Sequence, residues 1–224
     1  MQDTTSLDFT TQKAKKGMGY LDCKTSFGLK VHTTLGVSPV GIPLGLINQY
    51  VWAREEKNLG MAKQRKKRET QEKESQRWLD SWSETQQQIP EEIQVVTIGD
   101  CEADIFDLFA HSRNTNSHLL IRGTHKRKVK YLEDKQRSGH PETKYLHQSI
   151  REIKACGSLD VQVKRNPNHE ARLAKLTVRF ASFEIQVPSH HSKATPRQPV
   201  RLQVILAEEE NPPIAELILS VGSS

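Results

Sequence analysis

The sequence predicts an α/β chain: a mixed sheet with helices in the first part, then an antiparallel, strand-rich subdomain from about residue 126 onward. Two patterns and the length carry this. The apolar run "IQVVTIGD" is followed by the helical pattern "ADIFDLFAHSR" and then by the short apolar run "HLLIRG", which is the spacing of a β-α-β unit. Past residue 126, "GSLDVQVKR", "ARLAKLTVRFASFEIQV" and "VRLQVILAEEENPP" alternate in polarity with no long helix between them, as in an inserted antiparallel subdomain. The length of 224 residues is enough for one large domain or two small ones, each with a real core.

Taken in order, residues 1–54 read as extended. "FGLKVHTTLGVSPVGIPLGLINQYVWARE" forms two strands joined through "VSPVGIPLG", which holds the Pro and Gly of a hairpin turn. Residues 55–77 are almost wholly polar and charged, a linker that becomes helical at its end. In "EKESQRWLDSWSETQQQI", Trp78, Leu79 and Trp82 share one helix face while Glu72, Glu74 and Arg77 stay wet. The strand ending at Gly99 reads as buried on both faces, and a helix is expected over 104–112 with Ile105, Leu108 and Phe109 on one stripe. The expected division is a core over 1–125 and a strand-rich subdomain over 126–224.

Charge narrows the choice of partner. Lys and Arg number 33 against 27 Asp and Glu, a formal net charge of +6 that suits a polyanion. Cys23, Cys101 and Cys156 stand far apart without C-x-x-C spacing, which argues against a zinc site or a disulfide framework and for a reducing, cytosolic compartment. No apolar run approaches the roughly 18 residues of a membrane span, and no signal-peptide pattern opens the chain, so a soluble protein is expected. The nucleophile elbow G-x-S-x-G, the Walker loop and G-x-G-x-x-G are all missing.

Three clusters bear on chemistry. Asp100, with Glu102 and Asp104, follows a strand end, where ligand sites of α/β sheets form. A hard cation such as Mg²⁺ takes one or two carboxylates plus substrate phosphate, but Asp100 or Asp104 capping a helix explains the pattern equally well. Asp3, in "DTTSLDF", reads alone as an ordinary turn. The tract "RGTHKRKVKY" places Arg122, His125, Lys126, Arg127, Lys128 and Lys130 after a strand end, which suits phosphate contacts or simply a solvated loop.

Collinear segments add a resemblance. "DTTSLDF" at 3–9, "VHTTLGVSPVGIPLGL" at 31–46, "EKESQRWL" at 72–79, "VVTIGDCEADIFDLF" at 95–109, "LLIRGTHKRK" at 119–128 and "ILAEEENPP" at 205–213 resemble, in this order, bacterial cut-and-paste transposases of the insertion-sequence-four group. These are DDE enzymes with an RNase H-like core that cleave and transfer DNA at transposon ends. The resemblance implies that Asp3 and Asp100 are the first two catalytic acids, holding two Mg²⁺ or Mn²⁺ ions. One ion would prepare the attacking oxygen and the other would stabilise the leaving one. It further implies that Arg122, His125, Lys126, Arg127 and Lys128 grip double-stranded transposon-end DNA, that the protein pairs as a homodimer in a synaptic complex, and that it acts in the bacterial cytoplasm.

The family's third acid is a glutamate in Y-x-x-R-x-x-x-E-x-x-x-x-x-x-K. None of Tyr20, Tyr50, Tyr131 and Tyr145 opens that pattern, and Glu208, Glu209 and Glu210 fall in the segment that precedes it. The resemblance therefore implies a core segment truncated at both ends and inactive alone, or a non-catalytic remnant that binds DNA or dimerises.

Overall fold

Strand β3 (Phe27–Val37) organises the first part of the chain. Its partners are all antiparallel: β1 (Gln2–Asp8) on one side, and β2 (Gly19–Tyr20) with β4 (Pro43–Trp52) on the other. These assignments come from a computed structural model that describes residues 1–12, 16–21, 23–55, 74–131, 144–167, 170–189 and 198–212. Most of the charged linker expected over 55–77, including Glu72, lies outside the described residues, as do His190 and His191. Gly28 is required by close approach, because a Cβ there would stand 1.9 Å from the Leu7 carbonyl oxygen. The β3–β4 hairpin turns at residues 38–42, where the Ser38 amide donates to the Ile42 carbonyl at 2.9 Å and Gly41 takes φ +86°. That is the turn the Pro and Gly pattern indicates.

Helix α1 (Gln76–Gln88) packs on β4. Trp78, Leu79 and Trp82 are buried at 4%, 8% and 0% exposure, and a core forms from them with Ala103 and Leu108. Each large apolar side chain so buried contributes about 1.5–3 kcal/mol. Polar contacts fix the helix register. Asn48 donates to the Ser81 carbonyl at 3.1 Å and accepts from the Ser81 hydroxyl at 2.9 Å, and Tyr50 donates to Glu84. Glu74 stands at the helix start, paired with Arg54, while Arg77 lies over the Trp52 ring at 3.8 Å.

Strand β5 (Val95–Gly99) runs parallel to β6 (Ser117–Ile121), so the β-α-β spacing is realised. The connection holds a short 3₁₀ turn over Cys101–Ala103 and helix α2 (Phe106–Ala110). Two expectations need correction. β5 is buried on one face only: Thr97 is 4% exposed, whereas Val96 and Ile98 are 49% and 40% exposed. The core built around α1 takes Leu119 and Ile121 of β6 but neither of these two residues, so strand alternation leaves them outside. The helix expected over 104–112 is confined to 106–110, because Asp104 and Ile105 have non-helical backbone and the Asp104 carboxylate is engaged elsewhere.

The remaining described strands form an antiparallel sheet around β10 (Arg172–Ile185). β11 (Val200–Glu209) pairs along one side of it. β9 (Gly157–Val163) and β7 (Lys128–Tyr131) pair along the other, and the short β8 (Lys144–Tyr145) pairs with β7. Val129, Ala181, Phe183 and Ile185 are each at most 2% exposed, as is Ile150 of helix α3 (Leu146–Arg151). By contacts the chain divides into two compact units, residues 1–125 with 187–198, and residues 126–186 with 199–224. The architecture is thus mixed α/β, dominated by strands, and no described helix is long and apolar enough to cross a membrane.

Candidate functional site

The end of β5 is shaped by Gly99. A Cβ there would meet the Ala103 Cβ at 2.6 Å, the Trp78 ring at 3.0 Å and Ile121 at 3.1 Å. Glycine lets the strand close against this core, and the next residue, Asp100, emerges exposed at the carboxyl end of the parallel pair. Asp100 Oδ1 accepts the Glu102 amide at 2.8 Å, so it caps the 3₁₀ turn. Asp100 thus caps this turn and not the helix expected over 104–112: the cap position of α2 is Ile105, which makes no side-chain cap bond, and Asp104 is the N-cap of neither. A cap engages one oxygen and leaves the carboxylate capacity for further ligands.

Asp104 is the residue that sequence reasoning misplaced. It is 3% exposed, and its Oδ2 accepts the amides of Thr124 and His125, both at 2.8 Å, with His125 Nδ1 at 3.2 Å. A carboxylate this deep needs such partners. The loop after β6 is also tied at its start, where the Arg122 amide donates to the Gly99 carbonyl at 3.1 Å. Arg122 and His125 are both exposed. The available signal was an acid between Ala103 and Ile105, on a stretch otherwise packed in the core.

Asp3 is exposed on β1, paired with Thr33, and accepts a 3.4 Å hydrogen bond from the Thr5 hydroxyl. β1 neighbours β5 without forming a ladder with it. The opposite face of β1 and β3 is buried and polar. Gln2, His32 and Thr34 are 3%, 0% and 2% exposed. His32 shares a 2.8 Å hydrogen bond with the Thr4 hydroxyl and meets the Trp78 ring edge-on at 4.6 Å. Burial pushes its pKa down to about 4 against the opposing pull of Asp3, so the ring is neutral at pH 7. The Gln2 amide, His32 Nε2 and the Thr34 hydroxyl find no hydrogen-bond partner among the described residues.

The rest of the basic tract belongs to the second unit and divides by strand alternation. Lys126 and Lys128 are exposed. Arg127 is 8% exposed, on the side of buried Val129, which corrects its expected place on an open phosphate-binding surface. Lys128 opens β7 instead of lying in a loop, and its carbonyl accepts the Gln186 amide at 2.9 Å. The glutamates near the end of β11 are committed to cations or a hydroxyl. Glu208 pairs with Arg151 at 2.6 Å, Glu209 with Arg172, and Glu210 accepts from Thr177 at 2.6 Å.

The structure therefore brings Asp100 and Arg122 to one strand end and adds Asp104 and His125 behind them. Among the described residues, no group of three or more His, Cys, Asp or Glu is arranged to hold a metal. No protein-family model matches the chain, and no curated protein matches it.

Proposed function

We propose that this chain carries part of the catalytic core of a DDE-type DNA transposase, in which Asp3 and Asp100 are metal-binding carboxylates and double-stranded transposon-end DNA is the substrate. The observation that carries the reading is an exposed Asp100 at the carboxyl end of a parallel strand pair whose other strand leads into the Arg122 loop. An antiparallel β1-β3-β4 sheet, a helix packed on it, and a parallel pair neighbouring β1 support an RNase H-like arrangement. Two exposed carboxylates are hard oxygen donors and fit Mg²⁺ or Mn²⁺, which are commonly held by one or two such groups together with substrate phosphate. Asp3 and Asp100 would hold such an ion, which would supply activation of an attacking oxygen and stabilisation of the leaving one. Arg122 and His125 in one unit, and Lys126 and Lys128 in the other, supply exposed groups for phosphate contacts. Cytoplasmic action and a homodimer holding two DNA ends belong to the same reading.

A second reading, a DNA-binding or dimerisation remnant without catalysis, rests on the exposed Arg122, His125, Lys126 and Lys128 and needs neither carboxylate. One experiment separates the two. Purified protein is incubated with supercoiled plasmid and a labelled DNA duplex in Mn²⁺ across a salt series. Nicking that Asp100→Ala abolishes while binding persists establishes the catalytic reading. Salt-sensitive binding without nicking establishes the second. Failure to bind either DNA at low salt overturns the catalytic reading and the DNA-binding remnant alike.

A further inference from the structure

We propose that Asp104 is a positioning residue for the DNA site, an inference that rests on the DNA-binding reading above. Its buried carboxylate gathers three donors from one side of the loop: the Thr124 amide, the His125 amide and His125 Nδ1. The Arg122 amide, held by the Gly99 carbonyl at 3.1 Å, fixes the loop's other end one residue from Asp100. A loop pinned at both ends presents its side chains in one arrangement, which spares the ordering entropy that a free loop loses on binding. The Nδ1 contact also orients the imidazole. With Nδ1 turned to Asp104, Nε2 is the nitrogen left for a ligand, on a side chain 65% exposed. A carboxylate behind a histidine is a recurrent means of fixing tautomer and ring direction, and here it aims the ring from the strand end that bears Asp100. Exposed His125 is thereby preset to meet a phosphodiester backbone beside Arg122, with Asp104 acting only through His125.

The test uses Asp104→Ala and the more conservative Asp104→Asn in the full chain, with DNA affinity measured across a salt series and amide exchange followed at Thr124 and His125. The alanine variant is expected to lose protection at both amides and to bind duplex DNA about tenfold more weakly. Its log K against log salt slope is expected to shrink by about one, as when a phosphate contact is lost. The asparagine variant retains an acceptor oxygen and is expected to recover amide protection and much of the affinity. A double variant, Asp104→Ala with His125→Ala, is expected to bind no more weakly than His125→Ala alone by more than about twofold. Unchanged affinity and slope in Asp104→Ala despite lost protection overturns the inference and leaves DNA binding intact. Retained protection at Thr124 and His125 in a folded alanine variant overturns it as well. If the unaltered chain binds no DNA, the functional reading fails, while amide exchange still reports whether Asp104 holds the loop. Should the alanine variant fail to fold, the asparagine variant decides: it must retain protection and bind more tightly than His125→Ala, and the reverse result refutes the role.

Discussion

Gly99→Ala tests the packing that delivers Asp100 to the surface. The backbone at this position is not in the left-handed region, so the cost is steric. The new methyl would stand 2.6 Å from the Ala103 Cβ and 3.0 Å from the Trp78 ring. Carbon contacts are optimal near 3.5–4.0 Å, so the 3₁₀ turn must retreat by about 1 Å. Overpacking of this kind costs about 1–3 kcal/mol, and loss of glycine freedom in the unfolded chain returns about 0.4–1 kcal/mol. The net is a destabilisation of about 1–2 kcal/mol, read in thermal unfolding as a fall in Tm of roughly 3–10 °C. The clash has a named partner, so Ala103→Gly should relieve it. The double variant is expected to be at least about 0.5 kcal/mol more stable than the sum of the single effects. A Tm for Gly99→Ala within about 1 °C of the parent, or strict additivity in the double variant, would refute this account of the strand end.

Three further perturbations probe other parts of the first unit. His32 is held neutral with its pKa near 4, below the ordinary 6.5, so the unfolded chain takes up its proton first. Its contribution to stability is full above about pH 6.5 and drains away between there and about pH 4; urea unfolding of His32→Asn should show a flatter profile over that window. Asp100→Asn keeps a capping acceptor and should unfold like the parent, whereas Asp100→Ala should lose about 1 kcal/mol; on the proposed catalytic reading both should weaken Mn²⁺ binding in calorimetry, and equal stability of the two variants would contradict the cap. Trp82, at 0% exposure, donates to the Ser117 hydroxyl at 3.1 Å. Trp82→Phe removes that donor and leaves a gap, so chemical denaturation should report a loss of about 1–3 kcal/mol.

The parts of the fold that are local in sequence were readable from it. Trp78, Leu79 and Trp82 sit on the buried face that their spacing gives, and the Pro- and Gly-rich stretch turns between β3 and β4. What escaped reading depends on partners distant in the chain. The role of Asp104 is set by amides 20 and 21 residues away, which no helix-start pattern contains. Arg127, the residue just before β7, is withdrawn at 8% exposure where the strand begins to pair with β10 through Val129 and Ile185. The exposed face of β5 follows from which strand face the core takes up, a matter of tertiary placement that a five-residue apolar run cannot announce. For the site, the strand-end placement of Asp100 and Arg122 was legible, and the buried carboxylate supporting the loop was not.

The hairpin carries one more consequence, for how the chain behaves among copies of itself. β4 pairs only with β3 among the described residues, and Leu44, Leu46 and Val51 are 73%, 62% and 55% exposed. An open strand edge with apolar side chains is a template on which a second strand can be laid. The sequence interrupts that template where it is most apolar. Pro43 lacks an amide to offer, Gly45 adopts φ +144°, and the pairing with β3 shifts register between Thr34 and Leu35 and again between Gly36 and Val37. An incoming strand therefore meets a regular ladder only along residues 48–52, short enough to keep casual edge-to-edge stacking weak.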